Sequence, residues 1–196
     1  MSTLRQQQRA KTRAAVIRVA AEEFDQRGYA AVALSDIAAR LDVTKGAVYY
    51  HFASKATLAS AVVDTYFSAW ENLVEEVSSQ GLRGIEALRA LSIRVAESYR
   101  DDVGVRAPLR LMREADVISI DLPTPFLPWI ETVSRHLGEA QAAGEVRQGI
   151  DADGVAWQVV AGFFGAQEIS RQLTGSADLV ERIAALWDVI LTGIEA

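Results

Sequence analysis

The sequence predicts an all-α protein, with a small N-terminal three-helix unit and a larger helical body, about nine helices in all. Three observations predict it. Apolar residues recur at helical spacing along most of the chain. No Asn-Gly or Asp-Gly turn joins two alternating runs, so hairpin signals are missing. Serine, threonine and glycine stand where helices would start and stop.

The first helix is expected from about Arg9 to Arg27. Ile17, Ala20, Ala21 and Phe24 fall at i, i+3, i+4 and i+7 and share one face, and Gly28 ends the run. Ser35 reads as the N-cap of a short helix to Leu41, with Asp36 complementing its positive end and Ile37, Ala38 and Leu41 turned inward. Asp42-Val43 makes a tight turn, and Thr44 caps a third helix over about Lys45 to His51. Ser54 caps a long helix from Lys55 to about Ser79, whose stripe is Leu58, Ala61, Val62, Thr65, Tyr66, Ala69 and Leu73. Gly81 and Gly84 precede a helix from about Ile85 to Asp101, and a shorter one follows around Val105 to Ala115. A proline-rich loop, Leu122 to Phe126, leads into a helix from Leu127 to Ala143 that Gly144 stops. Two helices, about Asp151 to Leu173 and Ala177 to Ile194, complete the chain. The domain boundary is expected between residues 54 and 55, giving units 1–54 and 55–196.

Composition narrows the function. Of 196 residues half are hydrophobic, enough for a sizeable core. The absence of cysteine excludes disulfides and thiolate metal sites and fits a reducing compartment. The polar first eight residues lack the apolar segment of a signal peptide, and no run reaches the ~18 apolar residues of a membrane span. A cytoplasmic protein is expected. The net charge of −6 conceals a split: residues 1–56 carry nine Lys/Arg against five Asp/Glu, +4, and the rest carries eleven against twenty-one, −10. That asymmetry fits a basic module meeting a polyanion, joined to an acidic body that does not.

The segment Leu34 to Phe52 has the layout of a helix-turn-helix, in which the second helix enters the major groove of DNA. Its residue types suit that place. Thr44 and Lys45 stand at a helix N-terminus, where backbone N–H groups favour phosphate. Gly46 lets a backbone approach closely. Tyr49, Tyr50 and His51 crowd polar tips onto one short helix, suited to phosphate and base-edge contacts, whereas Val48 and Phe52 read as packing residues. Lys55 opens the next helix, a placement for a cation that a nearby phosphate explains. Arg5, Arg9, Lys11 and Arg13 form a basic arm free of acids, able to follow the backbone or reach a minor groove.

Other chemistries find little support. Only two histidines are present, His51 and His136, and no glycine-rich phosphate loop. His51 has no second ligand at useful spacing, so neither metal nor cofactor is expected. The paired acids Glu22-Glu23, Glu75-Glu76 and Asp101-Asp102 are neighbours that diverge by about 100° on a helix, so they read as solvated faces rather than catalytic pairs. The chain is not expected to be an enzyme. A helical small-molecule carrier without DNA binding remains a distant alternative.

The Leu34–Phe52 segment, followed by Ala53-Ser-Lys, resembles the DNA-binding signature of the TetR family of repressors. The resemblance implies a homodimer on a palindromic operator, with a second helical domain in which a small molecule releases the DNA. By match to the motif, Thr44, Lys45, Gly46, Tyr49, His51 and Lys55 would contact DNA, with Arg9, Lys11, Arg13, Ser35 and Tyr50 completing the surface. Asp42 departs from the family pattern, which often has glycine in this turn; Asp tolerates the left-handed conformation such a turn needs.

Outside that segment, Gly104-Val-Arg-Ala-Pro-Leu-Arg-Leu, Leu122-Pro-Thr-Pro-Phe-Leu-Pro-Trp129 and Val160-Ala-Gly-Phe-Phe-Gly-Ala-Gln167 resemble the γ-butyrolactone receptors of actinobacteria. That branch implies a ligand pocket lined at Trp129, Phe126, Met112, Gly162, Phe163 and Gln167. Three of these positions, Phe126, Met112 and Gly162, carry polar residues in relatives and are apolar here. A γ-butyrolactone or butenolide is therefore the first expectation, with a multidrug-efflux sensor or a pseudo-receptor for another ligand as alternatives. Trp70, Trp157 and Phe164 add aromatic wall, and Gln158 or Thr132 further polar groups. The last two helices carry more apolar surface than one helix pair needs, so Phe164, Ile183, Trp187 and Ile190 are expected at a two-fold dimer interface.

Overall fold

A computed structural model describes residues 2–118 and 120–196; Met1 and Ser119 lie outside it. Among the described residues ten helices follow one another: α1 (Ser2–Ala31), α2 (Leu34–Arg40), α3 (Lys45–His51), α4 (Lys55–Ser79), α5 (Gly84–Asp101), α6 (Val103–Arg113), α7 (Ala115–Ile118), α8 (Phe126–Ala143), α9 (Ala152–Thr174) and α10 (Leu179–Ile194). Among the described residues the only β pairing is an isolated bridge between Val146 and Glu195. The chain forms two compact units, Met1–Ala69 with Asp102–Pro123, and Trp70–Asp101 with Thr124–Ala196.

The first unit is built on α1. Val16, Ala20 and Phe24 are fully enclosed, together with Ile37 of α2, Val48 of α3, Leu58 and Val62 of α4, and Ala107 and Leu111 of α6. Helix α1 packs on both α2 and α6, so its buried face is wider than the expected stripe. Val16 and Val19 join it, while Ile17 is only half-buried. Helix α4 behaves alike: Ala59 and Val63 are enclosed beside the expected Leu58 and Val62, and Thr65 is exposed.

Gly28 breaks α1 as expected, but the chain resumes a helical turn to Ala31. Its φ of 78° and ψ of 167° lie in a region open essentially to glycine. Helix α2 starts one residue earlier than expected. Leu34 is needed in the core, and Asp36 Oδ2 accepts the Ala33 N–H at 3.2 Å, so Ser35 sits exposed in the first turn instead of capping. Asp42 takes the left-handed turn conformation, φ 52°. Asp102, read as a solvated acid, caps α6 by accepting the Gly104 N–H at 2.7 Å. Four-residue α7 is the helix that periodicity misses, being too short to show one; its Ile118 is buried.

The second unit packs α5, α8, α9 and α10. Gly144 and Gly175 end α8 and α9 in left-handed conformations, φ 80° and 63°, as C-terminal glycines do. The largest enclosed side chains are Trp129, Trp187, Tyr99 and Phe163.

Candidate functional site

Helix α3 turns two faces in opposite directions. Val48 and Phe52 are buried in the core, while Tyr49 and Tyr50 are 45% and 67% exposed. Thr44 caps the helix through a 3.2 Å hydrogen bond from the Ala47 N–H to its Oγ1. A Cβ added to Gly46 would meet only Thr44 Oγ1, at 3.8 Å, so nothing inside the fold demands glycine there. Lys45 reaches over the Tyr49 ring, 5.5 Å from its centre.

The basic arm is helical, as part of α1, rather than an extended strand of chain. Arg5, Arg9 and Arg13 recur every four residues on one face; Lys11 falls between them on another. The Arg9 guanidinium lies 5.1 Å over Tyr50 and that of Arg13 5.1 Å over Phe52, joining the arm to α3. Between them runs an open groove of about 380 Å³, lined by Arg5, Gln8, Arg9, Thr12, Tyr50 and His51. Burial, with Arg9 and then Arg13 nearby, pushes the His51 imidazole below its ordinary pKa, so at pH 7 it is neutral and keeps a nitrogen able to accept.

Lys55 is placed otherwise than expected. Its ammonium donates to the Tyr29 carbonyl at 2.8 Å and lies 4.2 Å from the centre of the Tyr29 ring. It closes the carbonyl end of α1 rather than standing free for a phosphate.

The solvated reading of Glu22 and Glu23 also changes. Glu23 is 7% exposed and held by Arg27 at 2.7 Å and Arg40 at 3.0 Å, while Glu22 takes the other nitrogen of Arg40 at 2.6 Å. Arg27 and Arg40 hold the Glu23 carboxyl below the usual range against the opposing effect of burial. These bridges lock α2 to α1.

In the second unit, Trp129, Phe163, Phe164 and Trp70 form one aromatic cluster. Trp129 stands 4.3 Å from Phe163 and 5.5 Å from both Phe164 and Trp70, centre to centre. Trp129, Phe163 and Gln167 are buried. Phe126 meets Phe164 edge-on at 4.9 Å, and both line an apolar cleft of about 440 Å³ with Thr124, Leu127, Ile130, Trp157, Val160 and Ala161. Gly162 faces the other way, against Leu186, where a Cβ would come within 3.0 Å. Met112 belongs to the first unit, packed against its core. Of the six expected ligand residues Trp129, Phe126 and Phe163 share one network of ring contacts through Phe164, while Gln167 is buried one turn after Phe163 on α9. The cleft residues Leu127, exposed, and Ile130, half-buried, were not anticipated; their spacing on α8 beside Phe126 is the only sequence trace of them.

Ile183 and Trp187 are completely enclosed within the chain, packing α10 onto its neighbours, so their side chains are not free to meet a second copy. The outward apolar face lies instead on α9: Trp157, Ala161, Gly165, Ile169 and Leu173, every fourth residue, with exposures of 57%, 60% and 77% at Trp157, Ile169 and Leu173. Ile190 is half-buried and Val189 beside it is 73% exposed. Among the described residues no cluster of histidine and acids is fit to hold a metal, and no helix is long and apolar enough to cross a membrane.

Known proteins share this arrangement. Residues 16–62 match the family model for bacterial regulatory proteins of the TetR family, and residues 82–195 the model for a tetracyclin repressor-like C-terminal domain. The A-factor receptor protein of Streptomyces griseus is 36% identical over 91% of this chain, which spans 62% of that receptor's length. A crystal structure of a γ-butyrolactone receptor (ArpA-like protein) superposes with a TM-score of 0.82 at 32% identity, covering 96% of this chain and 90% of that one. The TetR-family protein CprB from Streptomyces coelicolor, solved with its biological operator sequence, gives 0.83 at 34% identity over 95% and 89% of the two chains. With both parts of the chain matched in order, and the second match alone covering more than half of it, this chain belongs to the TetR family of bacterial regulatory proteins.

Proposed function

We propose that this protein is a ligand-responsive transcriptional repressor. It holds a palindromic operator as a homodimer and is released by a small apolar signal of the γ-butyrolactone or butenolide type. Residues 1–54 form its DNA-binding domain, residues 55–196 its ligand-binding and dimerisation domain. The role is non-enzymatic and cytoplasmic, where operator DNA is found.

The observation that carries this reading is the outward face of α3. Tyr49, Tyr50 and Lys45 are displayed to solvent around a glycine that the fold does not need, beside a row of arginines every four residues. Aromatic polar tips, cations and a bare backbone on one short helix serve phosphate and base edges, and serve nothing inside the fold. Lys55 and Glu23 act behind that face, fixing α1 and α2 relative to it.

The α9 stripe supplies the dimer. A two-fold axis through Gly165 brings Trp157 opposite Leu173, since each lies eight residues, roughly 12 Å, from that glycine. The aromatic cluster around Trp129 takes the signal. Helix α4, whose residues belong to both compact units, carries the coupling, which is typically about 1–3 kcal/mol per site.

Fluorescence anisotropy on DNA from upstream of the protein's own gene, at fixed salt, tests the reading. Tight, salt-sensitive binding released by a γ-butyrolactone or butenolide extract is expected. Absence of salt-sensitive binding to any upstream fragment would sink it.

A further inference from the structure

Each end of the α9 stripe carries a protruding side chain with a hollow beside it. At the first end Trp157 is 57% exposed and borders the apolar cleft of about 440 Å³. At the other end Leu173 is 77% exposed and borders a second groove, of about 540 Å³, between α9 and α10. Gly162, Gly165 and Ala166 give that groove a shallow floor, and Asp178, Arg182 and Leu186 form its α10 wall. The helix carries no charge along most of this face: from Gly154 to Gln167 the sequence holds no acid and no base. A contiguous exposed face of this kind marks a protein interface.

The two hollows differ in polarity. The cleft beside Trp157 has a single polar side chain in its lining, Thr124. The groove beside Leu173 contains a carboxylate. Asp178 Oδ1 accepts the hydroxyls of Ser170 at 2.5 Å and Thr174 at 2.6 Å, and Oδ2 accepts Arg182 Nε at 2.8 Å. These donors, Ser170 foremost, hold the Asp178 carboxyl well below the usual range. A carboxylate has about four acceptor positions, so three hydrogen bonds leave room for one more.

The two protruding side chains differ in the same sense. The indole of Trp157 carries an N–H, and leucine carries no polar atom. Trp157 therefore matches the groove at the far end of its own helix, and Leu173 the cleft at the near end. Neither reaches its match within one chain, because sixteen residues of helix, about 24 Å, lie between them. A two-fold axis through Gly165 makes both matches at once.

We infer that the two copies of the dimer interlock at these hollows. Trp157 of each copy fills the groove beside the partner's Leu173, and the partner's Leu173 fills the cleft beside Trp157. Each hollow is complete only when a second copy of this chain is seated on it. The inference rests on the α9 dimer proposed above and adds which side chain enters which hollow.

Cysteine cross-linking of full-length chains tests it, since the sequence has no cysteine of its own. Trp157 and Leu173 lie outside the core, so Trp157→Cys and Leu173→Cys keep the fold, which circular dichroism checks. A mixed dimer of the two variants retains one Trp157–Leu173 pair and brings the two cysteines together at the other end. Under mild oxidation the mixture should give at least about tenfold more disulfide-linked dimer than either variant alone. Like positions lie about 24 Å apart across the axis, beyond the roughly 7 Å that a disulfide spans. Acrylamide quenching reads the same contact without cysteines. Among the described residues Trp157 is the one exposed indole, as Trp70, Trp129 and Trp187 are buried. The emission that Trp157→Phe lacks should be at least about threefold less quenchable in the parent dimer than in Leu173→Glu. Linking in the mixture no greater than in the single variants, or a Trp157 as quenchable in the parent dimer as in Leu173→Glu, overturns the inference. Sedimentation of the parent separates the two readings: a dimer with either of those results keeps the α9 dimer and loses the interlock, and a monomer sinks both.

Discussion

The Glu114 carboxylate accepts the backbone N–H of Tyr29 at 2.7 Å, and its other oxygen takes Arg110 Nε at 2.8 Å. The end of α6 is thus tied to the break in α1. Arg110 also donates to the Asp25 carbonyl at 2.6 Å, and Arg106 holds the Asp25 carboxylate at 3.0 Å. The attachment is polar and directional, unlike the apolar packing beneath it. These contacts join α6 to α1 at residues 25 and 29.

Gly28 sits within that cluster, and its conformation is one that L-residues avoid. A Cβ there would also press on Arg110 Nη2 at 2.6 Å. Gly28→Ala should cost about 1–3 kcal/mol of stability, from the backbone conformation with the arginine displaced in addition. Urea unfolding of the two proteins measures it; equal midpoints would mean that the break in α1 tolerates a side chain.

Gly46 predicts the opposite sign for stability. Nothing in the fold obstructs a methyl group there, and alanine favours a helix by about 0.5–1 kcal/mol. Gly46→Ala should melt higher and yet bind operator DNA about tenfold or more weakly, as the methyl group holds the backbone away from the duplex. Thermal melts together with anisotropy separate the two effects. Unchanged affinity would remove Gly46 from the interface.

Glu23 predicts a pH dependence. Its carboxyl is held below the ordinary range in the folded protein, chiefly by the hydrogen bond from Arg27. Its stabilising contribution is therefore complete above the unfolded carboxyl pKa of about 4.3 and lost as pH falls through the lower folded value. Glu23→Gln should be less stable than the parent at pH 7 by about 1 kcal/mol, a modest figure because both guanidinium partners remain over 40% exposed. The gap should close in acid. A difference that persisted below pH 3 would assign the effect to packing instead.

The α9 stripe predicts that dimerisation and folding separate. Leu173 is 77% exposed within one chain, so Leu173→Glu should leave the helical circular dichroism unchanged. Sedimentation should show the monomer, and operator affinity should fall by at least about tenfold as the second half-site is lost. A stable Leu173→Glu dimer would move the interface off this face.

Helix positions were legible in the sequence because they depend on neighbours. Periodicity located nine of the segments, and Gly28, Gly144 and the Asp42 turn did what their residue types dictate. The α3 surface was legible for the same reason: Val48 and Phe52 inward with Tyr49 and Tyr50 outward follows from spacing alone. The fate of Lys55 was not, because its partner Tyr29 lies 26 residues away and a cation at a helix start fits a phosphate as well as a carbonyl. Nor was that of Glu23, which looks like any solvated acid until Arg40 arrives from α2. Ile183 and Trp187 were read as interface because they are apolar, and apolarity does not say which of two apolar surfaces, the chain's own or a copy's, a residue meets.

By itself the sequence determined the helical order, the caps at Thr44 and Ser54, the acid–base asymmetry and the face that α3 presents, since these rest on composition and on spacings of one to seven residues. Tertiary structure decided which charges are buried, which aromatics share a cluster, and that Trp157 and Leu173 stay outside the core. Those outcomes depend on desolvation, and a group is desolvated only by what the distant chain brings against it.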